Sequence, residues 1–218
     1  MGMVEEALRY LGAGGNAPES LRRNVADSME ALQNSIFPRY AYRFFPLRRD
    51  GELFYLQGAS VVLRGRSVRM MLESCGGAVL LLCTLGAEFD RLLRATSARD
   101  MAKAAILDAC GSAFVESGCE AAETELSERF PGRFLTDRFS PGYGDVPLSL
   151  QPDICAALDA SRRLGVCVTE SMALNPCKSV TAIIGLADRP QMSRIRGCAH
   201  CAMKRSCALR KSGADCRI

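Results

Sequence analysis

The sequence predicts an α+β protein, and two observations carry that expectation. Helical and strand-like stretches do not alternate one for one, as a doubly wound parallel sheet would require. The early strand-like stretches are separated by tight turn residues and read as antiparallel neighbours. The 218 residues supply enough material for one large domain with a sizeable core, or for one domain plus an appendage.

The elements follow in order. Residues 3–11 read as a short amphipathic helix, broken by the glycine-rich stretch 12–18. A second helix begins at Ser20, where Leu21, Val25, Ser28, Met29 and Leu32 recur at spacings of three and four, and Pro38 ends it. Residues 40–45 and 53–56, on either side of Asp50-Gly51, read as a hairpin. Ser67 is the expected N-cap of a helix that runs through Leu72 and stops at Gly76-Gly77. Residues 78–83 form a short apolar run suited to a buried strand. Leu85-Gly86 then turns into a helix carrying Phe89, Leu92 and Leu93. The longest helical pattern is 100–129, which Asp100 caps and whose alanines permit close packing. Pro131-Gly132 stops it, and residues 134–139 extend onward. Residues 150–164 are helical by spacing, and 166–169 and 179–185 read as the last strands.

Between two of these elements lies R-F-S-P-G-Y-G-D-V-P, residues 138–147. Pro141 fixes its own φ, and Gly142 and Gly144 let the chain turn where a Cβ would clash, so this is a shaped loop. Arg138 brings a planar five-donor fork and Tyr143 a flat ring with a hydroxyl. The stretch is either an ordinary connection, with Tyr143 packed and Arg138 solvated, or a clamp for a ligand with one flat and one anionic end.

No apolar run is long enough to cross a bilayer, and residues 1–9 lack a basic segment followed by an apolar one. A soluble, cytoplasmic protein is expected. Eleven cysteines, an odd count without an export signal, point to reduced thiols or metal ligands rather than a disulfide framework. Seven of them (Cys75, Cys83, Cys110, Cys119, Cys155, Cys167 and Cys177) sit in apolar contexts and are expected to behave as small hydrophobes. The rest lie in the last 21 residues. Residues 189–218 hold eight Lys or Arg against one acid, whereas 1–188 hold 20 basic and 23 acidic residues. The expected division is therefore a slightly acidic body, 1–188, and a basic Cys-rich tail, 189–218.

With its flanks, the loop resembles the reactivation domain of cobalamin-dependent methionine synthase. Arg138, Pro141, Gly142 and Tyr143 match that family's R-x-x-P-G-Y. Thr169-Glu170-Ser171, Pro176, Ser179 and Val180 match its T-E-S…P…S-V, and residues 113–116 match its A-F-x-E in a long helix. The resemblance spans residues 53–185. It implies a single curved domain around a twisted antiparallel sheet with flanking helices. It also implies a methyltransferase-type activity: S-adenosylmethionine binds, an electron donor such as flavodoxin or ferredoxin reduces inert Co(II), and a methyl group restores methylcobalamin. On that resemblance Arg138 pairs with the methionine carboxylate, main-chain groups of Ser140, Pro141 and Gly142 meet the adenine edge, and Tyr143 contacts the nucleoside. Glu116 and Glu170 are candidates for the ammonium or for a position near the sulfonium. Without the resemblance, Glu116 reads as a solvated helix residue and Glu170 as an acid at a helix start.

The sequence also departs from the family. Residues 144–147 do not follow its pattern after Tyr143, and no N-terminal acid matches the one used on the ligand's amino group. The single histidine, His200, is not in a D-x-H-x-x-G motif. Cobalamin is therefore expected on a partner, either a corrinoid-binding protein or a methionine synthase lacking its own activation domain. In the tail, Cys198, Cys201, Cys207 and Cys216 offer four soft ligands whose spacing suits an iron–sulfur cluster or zinc, and a tail that binds no metal stays open as well. The tail's cations could dock an acidic partner. It lacks the interleaved aromatics of a nucleic-acid surface. A second class of function stays open, a non-catalytic S-adenosylmethionine-binding module that recruits a partner through its tail.

Overall fold

The computed structural model describes residues 2–13 and 16–191. Seven helices and eight strands are assigned within them: α1 (Met3–Tyr10), α2 (Glu19–Ser35), β1 (Arg39–Asp50), β2 (Leu53–Leu56), β3 (Val62–Leu63), α3 (Arg66–Leu72), β4 (Cys75–Thr84), α4 (Gly86–Ser97), α5 (Met101–Arg129), β5 (Phe134–Leu135), α6 (Gln151–Ala157), α7 (Ala160–Leu164), β6 (Cys167–Val168), β7 (Leu174–Asn175) and β8 (Ser179–Ala187). The expected α+β class is met. An open antiparallel sheet of six strands has the order β3-β2-β1-β4-β8-β5, and β6 and β7 form a separate hairpin. Among the described residues no helix is long and apolar enough to cross a membrane.

The chain divides into two compact units. The described parts of Met1–Ala41, Leu82–Thr124 and Asp159–Val180 form the first; Tyr42–Leu81, Glu125–Leu158 and the described part of Thr181–Ile218 form the second. In the first unit the apolar stripe of α2 is buried at Val25, Met29 and Leu32, as its spacing predicts. Phe89 of α4 is also fully buried. Two glycines let α5 approach its neighbours. A Cβ at Gly111 would run into the Phe89 ring, and one at Gly118 would lie 2.6 Å from Pro38 and 2.7 Å from the Cys83 sulfur. Asp100 caps α5 as expected, its carboxylate accepting from the amides of Ala102 and Lys103 at 3.0 Å each.

In the second unit the hairpin of β1 and β2 pairs Leu47 with Leu56 and Asp50 with Leu53. The sheet is hydrophobic where β4 and β8 run through it, and their residues Ala78 to Leu81 and Thr181 to Ala187 are all buried. Four expectations change. Gly76 and Gly77 do not end α3 but lie inside β4, where a Cβ on Gly77 would collide with the Phe44 ring. The expected cap Ser67 is a helical residue, and Gly65 holds the N-cap position with no side-chain bond of its own. The helical stretch 150–164 is interrupted: Asp159 takes the left-handed conformation at φ +53 and separates α6 from α7. The expected strand 134–139 pairs as β5 only over Phe134–Leu135, then continues as single contacts to β8.

Candidate functional site

Residues 136–151 are built onto β8 step by step. The Thr136 amide donates to the Gly185 carbonyl at 3.0 Å, and the Gly185 amide donates back to the Thr136 hydroxyl at 2.8 Å. Phe139 and Ile183 exchange two main-chain bonds, at 3.0 and 2.7 Å. Arg138 stands between these anchors and is 8% exposed, the one charged residue that is buried among the described residues. Burying a guanidinium is costly unless it is engaged, and Arg138 is engaged within the protein. The solvated arginine of an ordinary connection is thus excluded.

Beyond Phe139 the chain makes two successive turns. The Tyr143 amide donates to the Ser140 carbonyl at 3.1 Å, with Pro141 and Gly142 between them and Gly142 at φ +86. Proline followed by a glycine of positive φ is the signature of a type II turn. The Val146 amide then donates to the Tyr143 carbonyl at 3.1 Å, and the Gly142 amide to the Val146 carbonyl at 2.9 Å. Pro141 and Val146 are buried beneath the loop. Tyr143 is 46% exposed, its ring set edge-on to Phe139 with centroids 5.9 Å apart. A buried cation and a displayed ring therefore sit within six residues. Because the Gly142 amide is spent inside the loop, an adenine edge would have to be met by other groups.

Residues 144–147, which have no place in the family pattern, acquire one here. The Asp145 carboxylate accepts from the Arg66 amide at 2.5 Å and the Ser67 amide at 3.1 Å. Desolvation at this contact pushes the exposed Asp145 carboxyl up, but the hydrogen bonds from Ser67 and Arg66 outweigh it and hold the group below its ordinary value. Further on, the hydroxyl of buried Thr181 donates to buried Gln151 at 2.9 Å, fixing the start of α6 against β8. Neither Asp145 nor the Gln151–Thr181 pair was singled out by sequence. An Asp in a Gly-Asp-Val-Pro turn looks like any turn residue until its partner is known.

The other expected site residues belong to the first unit. Glu116 is half-buried on α5. The Tyr10 phenol is pushed up first by burial and then by the negative charge of Glu116. Glu170 is exposed, and it lies not at a helix start but in the turn between β6 and β7. There Thr169 bonds the Ala173 carbonyl through its amide at 2.8 Å and accepts the Ala173 amide on its hydroxyl at 3.1 Å. Lys178 reaches Asp108 and the Ser112 hydroxyl at 2.8 Å each with its side chain only 14% exposed. Of the seven scattered cysteines, Cys83, Cys110, Cys119 and Cys155 are buried as expected, whereas Cys167 and Cys177 are exposed. Cys198, Cys201, Cys207 and Cys216 lie outside the described residues. Among the described residues no group of three or more His, Cys, Asp or Glu is placed to hold a metal ion.

The site and sheet together define an α+β fold with a Pro-Gly-Tyr loop pinned to one strand of an open antiparallel sheet. No family model and no curated protein sequence matches the chain. A solved structure described as the MetH reactivation domain bound to AdoHcy is similar to it. The TM-score is 0.64 at 16% identity, over 94% of this chain and 76% of that one. At that identity the likeness is one of fold, and it agrees with the fold the sequence motifs imply.

Proposed function

We propose that this chain binds S-adenosylmethionine and supports reductive methylation of a corrinoid carried by a partner protein. The loop 138–143 carries the reading, on a fold shared with a reactivation domain solved with AdoHcy, the demethylated form of S-adenosylmethionine. The residues present fit such a ligand. A buried guanidinium can exchange an internal partner for a carboxylate without first losing a full water shell, and bidentate pairing makes that exchange favourable. The exposed ring of Tyr143 offers a stacking or edge surface for a nucleoside. S-adenosylmethionine, when bound, supplies an electrophilic methyl group. The chain's own residues bind and orient it, and alignment rather than proton transfer is their contribution. No general base is needed, in keeping with a single histidine in the sequence. The basic tail is assigned to docking an acidic partner, and its four cysteines to an iron–sulfur cluster or zinc, which metal and sulfide analysis of an anaerobic preparation distinguishes.

Titration calorimetry tests the binding step. Arg138→Ala is expected to weaken S-adenosylmethionine at least tenfold, and an unchanged affinity with an intact fold removes the carboxylate assignment. Mixing the chain with a Co(II) corrinoid protein, a reductant and S-adenosylmethionine tests the activity. Methylcobalamin is expected in the visible spectrum only when the chain is present. Binding without methylation across several corrinoid partners would instead make it a non-catalytic docking module.

A further inference from the structure

The loop that presents Tyr143 is held from its far side by a carboxylate that reaches back to α3. Asp145 meets the amides of Arg66 and Ser67, which belong to the first turn of α3 and have no acceptor within their own helix. Gly65, at the N-cap position, has no side chain to serve them, so Asp145 supplies from a distant part of the chain the oxygen that a local Ser or Asp provides in other helices. The contact is close on both sides. Gly65 adopts φ +118, and a Cβ there would lie 2.8 Å from Asp145 Oδ2. Gly144 adopts φ +58, and a Cβ there would lie 2.9 Å from the Ser67 hydroxyl. Two glycines of positive φ thus leave room for one carboxylate between two chain segments.

Asp145 is also the residue enclosed by the loop's own bonds. The Gly142 amide donates to the Val146 carbonyl and the Val146 amide to the Tyr143 carbonyl, so fixing Asp145 fixes the main chain of the turn that carries the ring. Tyr143 itself is half in solvent, with an edge contact to Phe139. A ring displayed this way binds well only if its backbone is ordered before the ligand arrives, since ordering on binding subtracts from affinity.

We infer that Asp145 is a positioning residue for ligand binding: anchored on the Arg66 and Ser67 amides, it holds the Pro141-Gly142-Tyr143 turn in the form the ligand meets. This rests on the reading of that loop as the S-adenosylmethionine clamp. A helix cap with no further role would affect stability and leave affinity alone, and that difference is measurable.

The full chain is titrated with S-adenosylmethionine by calorimetry, with thermal melts in parallel. Asp145→Ala lowers affinity at least fivefold, while Asp145→Asn, which keeps one acceptor oxygen, stays within about threefold of the parent chain. Arg66→Pro deletes one of the two anchoring amides at the first helical position, where proline is accepted, and lowers affinity like Asp145→Ala. Combining the two adds little, because both break one contact. If Asp145→Ala does not fold, Arg66→Pro carries the test. Variants that melt earlier but bind like the parent overturn the proposal, as does an Asn variant as weak as the Ala variant. A parent chain that binds no S-adenosylmethionine overturns the reading of the loop itself and this inference with it.

Discussion

Cys177 and Asp90 show how one contact sets a residue's chemistry. The exposed thiol donates to Asp90 Oδ1 at 2.9 Å, and the Cys177 amide donates to the same carboxylate at 3.1 Å. Desolvation of the sulfur at this contact, then the hydrogen bond to Asp90 and the Asp90 charge, push the thiol up to about 11. At pH 7 little thiolate is present, and thiolate is the reactive form. Asp90→Ala removes the second and third causes of the shift but leaves the desolvation. Alkylation of Cys177 at pH 8, followed by mass spectrometry, is therefore expected to speed up several-fold. An unchanged rate would mean that desolvation alone sets the thiol. The sequence showed the cysteine in an apolar context but not the acid 87 residues away that faces it.

At the scale of elements, α5 sets two effects against each other. Alanine exceeds glycine in helix propensity by about 1 kcal/mol, so Gly118→Ala would stabilise an isolated helix. In the folded protein the new methyl lies 2.6 Å from half-buried Pro38 and 2.7 Å from the buried Cys83 sulfur, and overfilling such a site costs ~1–3 kcal/mol. The packing effect wins, and urea denaturation of Gly118→Ala is expected to show a net loss of up to about 2 kcal/mol. A gain would show that Pro38 yields. The same physics accounts for the misread glycines of β4: Gly76-Gly77 looks like a helix stop, but Gly77 is small so that Phe44 can cross it.

For the molecule as a whole, ligand binding and stability are linked. A ligand that binds only the folded chain adds about 2.7 kcal/mol at a hundred times its Kd. For a chain of this length, ~2–4 °C per kcal/mol corresponds to a rise of about 5–10 °C in melting temperature. S-adenosylmethionine is expected to produce that shift in the parent chain and a much smaller one in Arg138→Ala at equal concentration. Equal shifts in both would place the ligand elsewhere than the 138–143 loop.

Local pattern by itself determined the α+β class, the order of the long elements, the stripe of α2, the cap at Asp100 and the loop 138–143. Each follows from spacing, turn chemistry or a short motif, and these act within a few residues along the chain. Tertiary structure alone decided that Arg138 is buried, that Lys178 pairs with Asp108, and that Asp145 caps a helix whose first residue lies 79 positions earlier. Those facts depend on which distant segments meet. A carboxylate in a turn and a helix lacking its own cap are each unremarkable alone; only the fold places one 2.5 Å from the other.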